Sequence, residues 1–198
     1  KGITHLYATG LLEHATMEDF SAFGSPLDHP MVVKGRAGSP FAIKDYYDVN
    51  PFLATEPQHR MKEFASMLER IHQQEMKLII DFVPNHLARQ YYSDQKPKGV
   101  VDLGSNDQKD VSFSPKNNFY YLPGTQFDIP DGVHPPVESH IPYIERPAKV
   151  SGNNVFSAKP SIHDWFETVK LNYGLDVQHG NVLHTDPIPD TWLKMLDV

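Results

Sequence analysis

The pattern that most constrains the fold is a strand, a helix and a second strand in direct succession. Residues 3–9 form a short apolar run that Gly10 ends, which predicts a strand. An amphipathic helix pattern occupies residues 55–75, and its apolar positions recur at three- and four-residue steps: Met61, Phe64, Leu68 and Ile71. Residues 77–83 follow at once with nearly continuous apolar side chains, as expected of a strand buried on both faces of a parallel sheet. Together they predict a βαβ unit within an α/β fold.

The start of this helix is predicted from a capping signal. Thr55 is a suitable cap, Gln58 three residues later completes a capping box, and Pro57 is tolerated in a first turn. The preceding stretch, residues 10–54, is rich in Gly, Pro, Ser and Asp and is expected to be irregular.

The long segment 87–185 changes character. Aromatic residues are scattered among Pro, Asn, Gly and Asp, and no helical stripe persists. A structureless loop of that length is uncommon in a compact domain, so we expect an irregular subdomain inserted after the second strand. Short strands are expected near residues 118–122 and 168–173, and a final helix capped by Asp190 or Thr191.

Composition removes several classes of function. The chain has no cysteine, which excludes disulfides, thiolate zinc sites and a cysteine nucleophile. A formal charge of -7 argues against an extended nucleic-acid surface. No apolar stretch reaches the length of a membrane span, so no membrane-spanning segment is expected in these residues.

Two segments are expected to share one rim, because ligands of parallel α/β folds gather at the carboxyl ends of the strands. One is the aromatic and polar loop 38–50, and the other is 81–86 at the end of the second strand. Aromatic faces beside hydrogen-bonding groups suit sugars. Spacing alone does not decide whether Asp81 is a structural carboxylate or a site residue. It also does not decide whether His86 is an ordinary loop histidine or contacts a ligand.

The same residues carry a resemblance. Gly-Ser-Pro-Phe-Ala-Ile-Lys-Asp-Tyr-Tyr-Asp-Val-Asn-Pro at 38–51, a D-x-x-x-N-H pattern at 81–86 and Leu-Asn-Tyr at 171–173 resemble the alpha-amylase family (glycoside hydrolase family thirteen) in their order and spacing. The resemblance implies a fragment of a (β/α)8 TIM barrel, comprising its second and third strands and the helix between them. It divides the chain into partial barrel 1–86, inserted α+β B domain 87–185 and the start of the next barrel helix at 186–198.

The function that the resemblance implies is retaining hydrolysis of α-1,4-glucosidic bonds in starch-like glucans. The nucleophile and the acid would lie beyond Val198, so this chain would supply substrate-binding rim and B domain and be inactive alone. Its partners would be an α-glucan or oligosaccharide and the remainder of its own barrel, in a secreted or periplasmic protein. An α-glucan transglycosylase of the same family and a non-catalytic glucan-binding or scaffold homologue remain alternatives.

The resemblance also implies roles for individual residues. His86 would bind sugar hydroxyls, and Phe41 would stack on the same sugar where the family often has a tyrosine. Asp81 would be a buried partner of an arginine outside the chain, Asp45 would brace the substrate loop, and Tyr46 would belong to the same substrate site. Asn85 would be a calcium ligand. Lys170 stands where the family often has a calcium-ligating aspartate, and its charge would repel a divalent ion.

Overall fold

The computed structural model describes residues 2–198, so Lys1, the first residue of the predicted 1–86 segment, lies outside the described residues. The strands are β1 His5–Ala8, β2 Leu12–His14, β3 Ile43–Val49, β4 Lys77–Ile80, β5 His86–Ala88, β6 Tyr121–Leu122, β7 Ala148–Lys149, β8 Thr168–Lys170, β9 Leu175–Asp176 and β10 Val182–Leu183. The α-helices are α1 Arg60–Gln73 and α2 Asp190–Asp197. Each strand pairs with one other, in five two-stranded sheets among these residues.

The predicted βαβ unit is present. Strand β1 pairs with β4 in parallel, with His5 opposite Lys77 and Ala8 opposite Ile80. Helix α1 connects the two strands and contacts β4. The two carboxyl ends therefore lie at the same edge, which is the condition for a shared rim.

Strand β4 is shorter and more exposed than predicted. It ends at Ile80 instead of residue 83, and Ile79 and Ile80 are 46% and 39% exposed. The expectation of burial on both faces is therefore wrong for residues 2–198. A continuous apolar run is buried only where further elements cover both faces, and the described residues cover this pair in part.

We predict that the isolated 198-residue chain will melt without a sharp cooperative transition. Large apolar side chains are exposed on both faces of the β1–β4 pair and just after it: Leu6, Tyr7, Ile79, Ile80 and Phe82. Exposed apolar patches of this kind favour association and loosen cooperative packing. Calorimetry together with binding of a hydrophobic dye checks this expectation, and a single sharp transition without dye binding would contradict it.

Helix α1 begins five residues later than predicted. Pro57–His59 forms a turn of 3₁₀ helix, and α1 starts at Arg60. The carboxylate of Glu63 accepts hydrogen bonds from the backbone N–H groups of Thr55 and Glu56, at 2.9 and 2.8 Å. Thr55 is thus held by the first turn of α1 rather than capping it, because Glu63 reaches back past the 3₁₀ turn.

The stretch predicted to be irregular, residues 10–54, contains an antiparallel pair. Strands β2 and β3 pair with irregular register, and the seven residues of β3 are almost all buried. The turn before β3 depends on Gly38, which has φ +72° and lies so close to Ala15 that a Cβ would sit 2.9 Å from its carbonyl carbon. The sequence did not predict this strand, because its polar residues are buried with partners and do not alternate with apolar ones.

The segment after β5 is built from short antiparallel pairs. Strand β5 pairs with β8, β6 with β7 and β9 with β10. Strands β6 and β8 lie within the predicted strands near 118–122 and 168–173. Helix α2 occupies the predicted position, but its N-cap is Pro189 without a side-chain bond, so the expected Asp190 or Thr191 cap is wrong.

The main core crosses the predicted boundary between residues 86 and 87. Ile43 and Tyr46 pack with six buried residues from later segments: Leu87, Leu103, Phe119, Tyr121, Val169 and Leu171. Strand β3 is therefore packed into the same core as the predicted B domain, and the domain division stays a prediction. Neither α-helix within residues 2–198 combines the length and apolarity needed to cross a membrane.

Candidate functional site

The two segments predicted to share a rim lie side by side. The hydroxyl of Tyr46 in β3 donates a hydrogen bond to the backbone carbonyl of Val83 at 2.7 Å. The rings of Tyr46 and Phe82 are 5.7 Å apart between centroids. The backbone of Phe41 also lies within hydrogen-bonding reach of the His86 ring. Loop 38–50 and segment 81–86 therefore form one continuous surface beside the end of the β1–β4 pair.

His86 is the central polar group of this surface. Its side chain is almost buried, 7% exposed, at the first position of β5. The ring of Trp165 lies 5.0 Å away between centroids, and Phe41 and Trp165 are 46% and 45% exposed. We call Phe41, His86 and Trp165 the His86 wall: a largely covered imidazole with the exposed Trp165 ring beside it and the exposed Phe41 on the neighbouring loop.

Close packing behind the wall fixes the backbone at His86. A Cβ at Gly152 would lie 3.0 Å from the Cβ of His86 and would collide with the hydroxyl of Thr168. Glycine is therefore required at position 152 for the loop to approach β5 so closely. This contact ties the loop after β7 to the site.

The His86 ring is neutral at ordinary pH. Burial, and to a smaller extent the positive charge of Lys170, lower the pKa of His86 to about 4, against the opposing effect of the Phe41 backbone. A neutral imidazole has one donor and one acceptor nitrogen; Nδ1 faces the Asn85 amide at 2.8 Å, so Nε2 is the nitrogen that could meet a sugar hydroxyl.

Asn85 does not fit the calcium role that the resemblance implied. Its side-chain oxygen Oδ1 accepts a hydrogen bond from the ammonium of Lys170. That oxygen is the atom a calcium ion would bind, and the ammonium both occupies it and repels a divalent cation. The residues present therefore hold a protein cation where the family pattern would place a metal.

Asp45 and Tyr46 support the surface from behind rather than forming part of it. Both are buried. The carboxylate of Asp45 accepts hydrogen bonds from the N–H groups of Tyr47 and Gln95, at 2.7 and 3.3 Å. The bracing role expected of Asp45 agrees with these contacts, and the place of both residues in a substrate site stays a prediction. Asp45 braces the 45–47 and 93–95 segments.

The role predicted for Asp81, as partner of an arginine outside the chain, stays a prediction. Its side chain is partly exposed, and its backbone N–H donates to Ala8 at 3.0 Å. Within residues 2–198, no side-chain hydrogen bond or ion pair involves its carboxylate. It lies one residue beyond β4, next to the exposed side chains of Ile79 and Ile80.

Asp45 belongs to a group of four neighbouring carboxylates. Single oxygens of four acidic residues all lie within 4.8 Å of one another: Glu13, Asp45, Asp48 and Asp94. Arg60 neutralises part of this charge, with its Nε donating to Asp48 at 2.7 Å and one terminal nitrogen 3.3 Å from Asp94. Burial, with smaller contributions from Asp48 and Asp94, raises the pKa of Glu13 to about 7, although Ser25 and Lys44 act in the opposite direction. Glu13 therefore holds a proton in weakly acidic solution.

Replacing Glu13 with glutamine should stabilise the full-length protein at pH 8 and have little effect at pH 5. The folded-state pKa of Glu13 lies above its ordinary value of 4.5, so the folded state binds the proton more tightly. Stability contributed by this group is present below pH 4.5 and is lost as the pH rises through about 7, by roughly 3 kcal/mol. Melting temperature measured against pH checks this, and an equal pH slope in both proteins would contradict it.

Sequence reasoning missed Trp165 and the ion pair behind it. Trp165 stands in a loop where its backbone N–H donates to the side-chain oxygen of Asn153 at 3.3 Å. The available signal was a tryptophan in a polar segment shortly before the Leu-Asn-Tyr motif. Arg89, buried beneath the wall, bonds the carbonyl of Phe166 and the carboxylate of Glu145, which no spacing in the sequence indicates.

Comparison with known proteins places the chain in a family. The family described as "Alpha amylase, catalytic domain" matches residues 29–162, about two thirds of the chain. The mouse amino acid transporter heavy chain SLC3A1 is 38% identical over 48 residues, covering 24% of this chain and 6% of that protein. An alpha-glucosidase of Culex pipiens is 37% identical over 51 residues, covering 25% and 9%.

A crystal structure of an alpha-amylase from Lactobacillus plantarum is similar at a TM-score of 0.30 and 28% identity, covering 44% of this chain and 16% of that one. The matched segments span less than a tenth of the two curated relatives. The family match extends across loop 38–50, β4 and segment 81–86, and ends before Trp165. The chain therefore belongs to the alpha-amylase catalytic-domain family of glycoside hydrolases.

Proposed function

We propose that this chain supplies the sugar-binding rim of a retaining glycoside hydrolase that cleaves α-1,4-glucosidic bonds in starch-like glucans. The observation that carries the proposal is the His86 wall, where a neutral imidazole lies beside the exposed Trp165 ring and the exposed Phe41 belongs to the adjoining loop. Aromatic faces pack on the C–H faces of sugars, and the imidazole offers a hydrogen bond to a hydroxyl. The family match supports a glycosidase role for this surface.

The catalytic carboxylates of this proposal come from outside residues 1–198. In a retaining enzyme one carboxylate attacks the anomeric carbon, and a second carboxylic acid protonates the leaving oxygen. His86 would hold the sugar in place while that exchange occurs, and Phe41 and Trp165 would exclude water from its faces. In the same proposal, β1 and β4 are the second and third strands of a (β/α)8 barrel, and α1 is the helix between them. The exposed apolar side chains of β1 and β4 would pack on the remaining parts of the barrel.

The test is a product analysis of the full-length protein on maltooligosaccharides. Net release of reducing ends with an α-configured first product supports retaining hydrolysis. Redistributed chain lengths without new reducing ends would replace hydrolysis by transglycosylation on the same rim. Absence of both reactions with a preparation that is folded would overturn the proposal.

A second candidate is a non-catalytic member of the family. Two of the relatives, from mouse and rat, are named as amino acid transporter heavy chains rather than as enzymes, with 38% and 35% identity to this chain. A protein of this kind would show no turnover in the product analysis. Retained glucan binding would then distinguish a sugar-binding role from a purely structural one.

Replacing Trp165 with alanine should raise KM for maltooligosaccharides about threefold to tenfold and leave kcat nearly unchanged. The exposed indole face is lost, and aromatic stacking contributes about 0.5–1.5 kcal/mol. Trp165→Phe retains a face and should recover most of the affinity. Phe52→Ala is a matched control, because Phe52 is equally exposed and packs on Phe20 at 5.1 Å instead. A KM that is equally changed in both alanine variants would contradict a sugar contact at Trp165.

A further inference from the structure

Lys170 and His86 are brought together by strand register. Strands β5 and β8 are antiparallel, and His86 is the direct partner of Lys170 across the pair. The backbone N–H of Leu171 donates to the carbonyl of Asn85 at 3.2 Å, which extends the pairing by one residue. Directly opposite residues in such a pair have their side chains close to one another. The positions of Lys170, Asn85 and His86 are therefore fixed by the backbone.

Two contacts determine which way the Asn85 amide points. The ammonium of Lys170 has donors alone, so the group facing it is the amide oxygen Oδ1. The carbonyl of Gly152 accepts alone, so the group facing it, at 3.2 Å, is the amide nitrogen Nδ2. Asn85 is exposed, and water competes for both ends of its amide. The charged contact from Lys170 is the stronger of the two.

The orientation of this amide acts on the position of the His86 ring proton, together with the Phe41 backbone that also lies within hydrogen-bonding reach of the ring. Nδ2 of Asn85 lies 2.8 Å from Nδ1 of His86. An amide nitrogen donates, so Nδ1 must accept and cannot carry a hydrogen. The proton of the neutral ring is then on Nε2. A reversed amide would present an oxygen to Nδ1 and favour the opposite tautomer.

We propose that Lys170 is a positioning residue, which holds the Asn85 amide and thereby fixes His86 as the tautomer with its hydrogen on Nε2. Its relevance to sugar binding rests on the proposed function, in which His86 is the hydrogen-bonding group of the wall. The ammonium provides this orientation from within the chain, at the oxygen where a metal ion would otherwise bind. Lys170 acts through Asn85 and does not itself contact the sugar.

The test combines a structural and a kinetic measurement on the full-length protein. Nitrogen chemical shifts of histidine-labelled protein, assigned by comparison with His86→Gln, report the tautomer of His86 directly. We expect the Nε2–H form in the wild type, a mixture of both tautomers in Lys170→Met, and restoration in Lys170→Arg. KM for maltooligosaccharides should rise about threefold to tenfold in Lys170→Met, the loss of one hydrogen bond, with recovery in Lys170→Arg.

A Lys170→Met protein with the wild-type tautomer would overturn the proposal, whatever its KM. A calcium titration that moved the His86 signals of the wild type would overturn it as well, because the ion and the ammonium compete for Oδ1 of Asn85. The tautomer measurement needs no turnover. A protein that is inactive on glucans would therefore contradict the proposed function. The role of Lys170 would still be decided by the nitrogen chemical shifts of His86.

Two further variants separate positioning from folding. Lys159→Met removes a lysine whose ion pair with Asp131 is exposed, and it should leave the His86 signals and KM unchanged. Lys170→Gln keeps a donor for Asn85 without the charge. If Lys170→Met does not fold, the Gln variant carries the test, with a partial shift toward the second tautomer expected and an unshifted spectrum contradicting the proposal.

Discussion

Replacing His86 with alanine should lower kcat/KM of the full-length protein on maltooligosaccharides by about a hundredfold. The imidazole is the hydrogen-bonding group at the centre of the His86 wall, and its neutral state persists down to about pH 4 because burial and Lys170 lower its pKa. In the proposed function it binds the sugar at the cleavage position. Loss of one well-placed donor in an enclosed site typically costs about 10²–10³ in rate. Steady-state kinetics with a fixed oligosaccharide length measure the effect.

The control for this variant is His72→Ala, which removes an exposed histidine from the last turn of α1. It should leave kcat/KM within about twofold, since surface substitutions of this kind have small effects. The melting temperatures of both variants should remain close to that of the wild type, so that a kinetic loss is not a folding loss. Equal activity of His86→Ala and wild type would remove His86 from the proposed site.

Replacing Arg89 with methionine should reduce the free energy of unfolding by about 3–5 kcal/mol. The guanidinium is buried and donates to Glu145 at 2.6 Å and to the hydroxyl of Ser151 at 3.0 Å. It also lies over the ring of Phe127, 3.6 Å from its centroid. Removing one cation of a buried ion-pair network accounts for the size of the loss, although Lys149, 3.3 Å from Glu145, still compensates part of the remaining charge. Chemical denaturation monitored in the 87–185 region measures it.

An exposed ion pair of the same chemistry provides the matched control. Arg36 and Glu18 are 2.5 Å apart, with side chains 65% and 35% exposed. Arg36→Met should cost less than about 1 kcal/mol, because solvent screens exposed pairs and competes for their hydrogen bonds. A loss in Arg89→Met no larger than that in Arg36→Met would show that the buried network contributes little to stability.

The prediction of the βαβ unit succeeded because its evidence is local. A helical stripe and a continuous apolar run each depend on residues within one segment, and the parallel pairing of β1 with β4 follows from their order. The same local reasoning was wrong at the start of α1. The contact from Glu63 back to Thr55 is still short in sequence, but a 3₁₀ turn intervenes and the capping pattern does not encode it.

Strand β3 was missed for a different reason. Its buried polar residues have partners far along the chain: Asp48 bonds Arg60, and Lys44 lies 2.8 Å from Asp28. Burial of a charged side chain is tolerable when a partner compensates for desolvation, and no periodicity in residues 43–49 reveals that partner. The Tyr46 hydroxyl contact with Val83 belongs to the same class of long-range information.

The sequence by itself determined the family and the identity of His86 and Phe41 as candidates, because the motifs that carry them are contiguous and keep their spacing. The tertiary structure decided which of the neighbouring residues reach the surface: it covers Asp45 and Tyr46, leaves Asp81 partly open and brings Trp165 beside His86 from a distant segment. It also placed the Lys170 ammonium on Asn85. Exposure and cross-strand register arise from contacts between segments, and these depend on how the whole chain packs rather than on any single stretch of it.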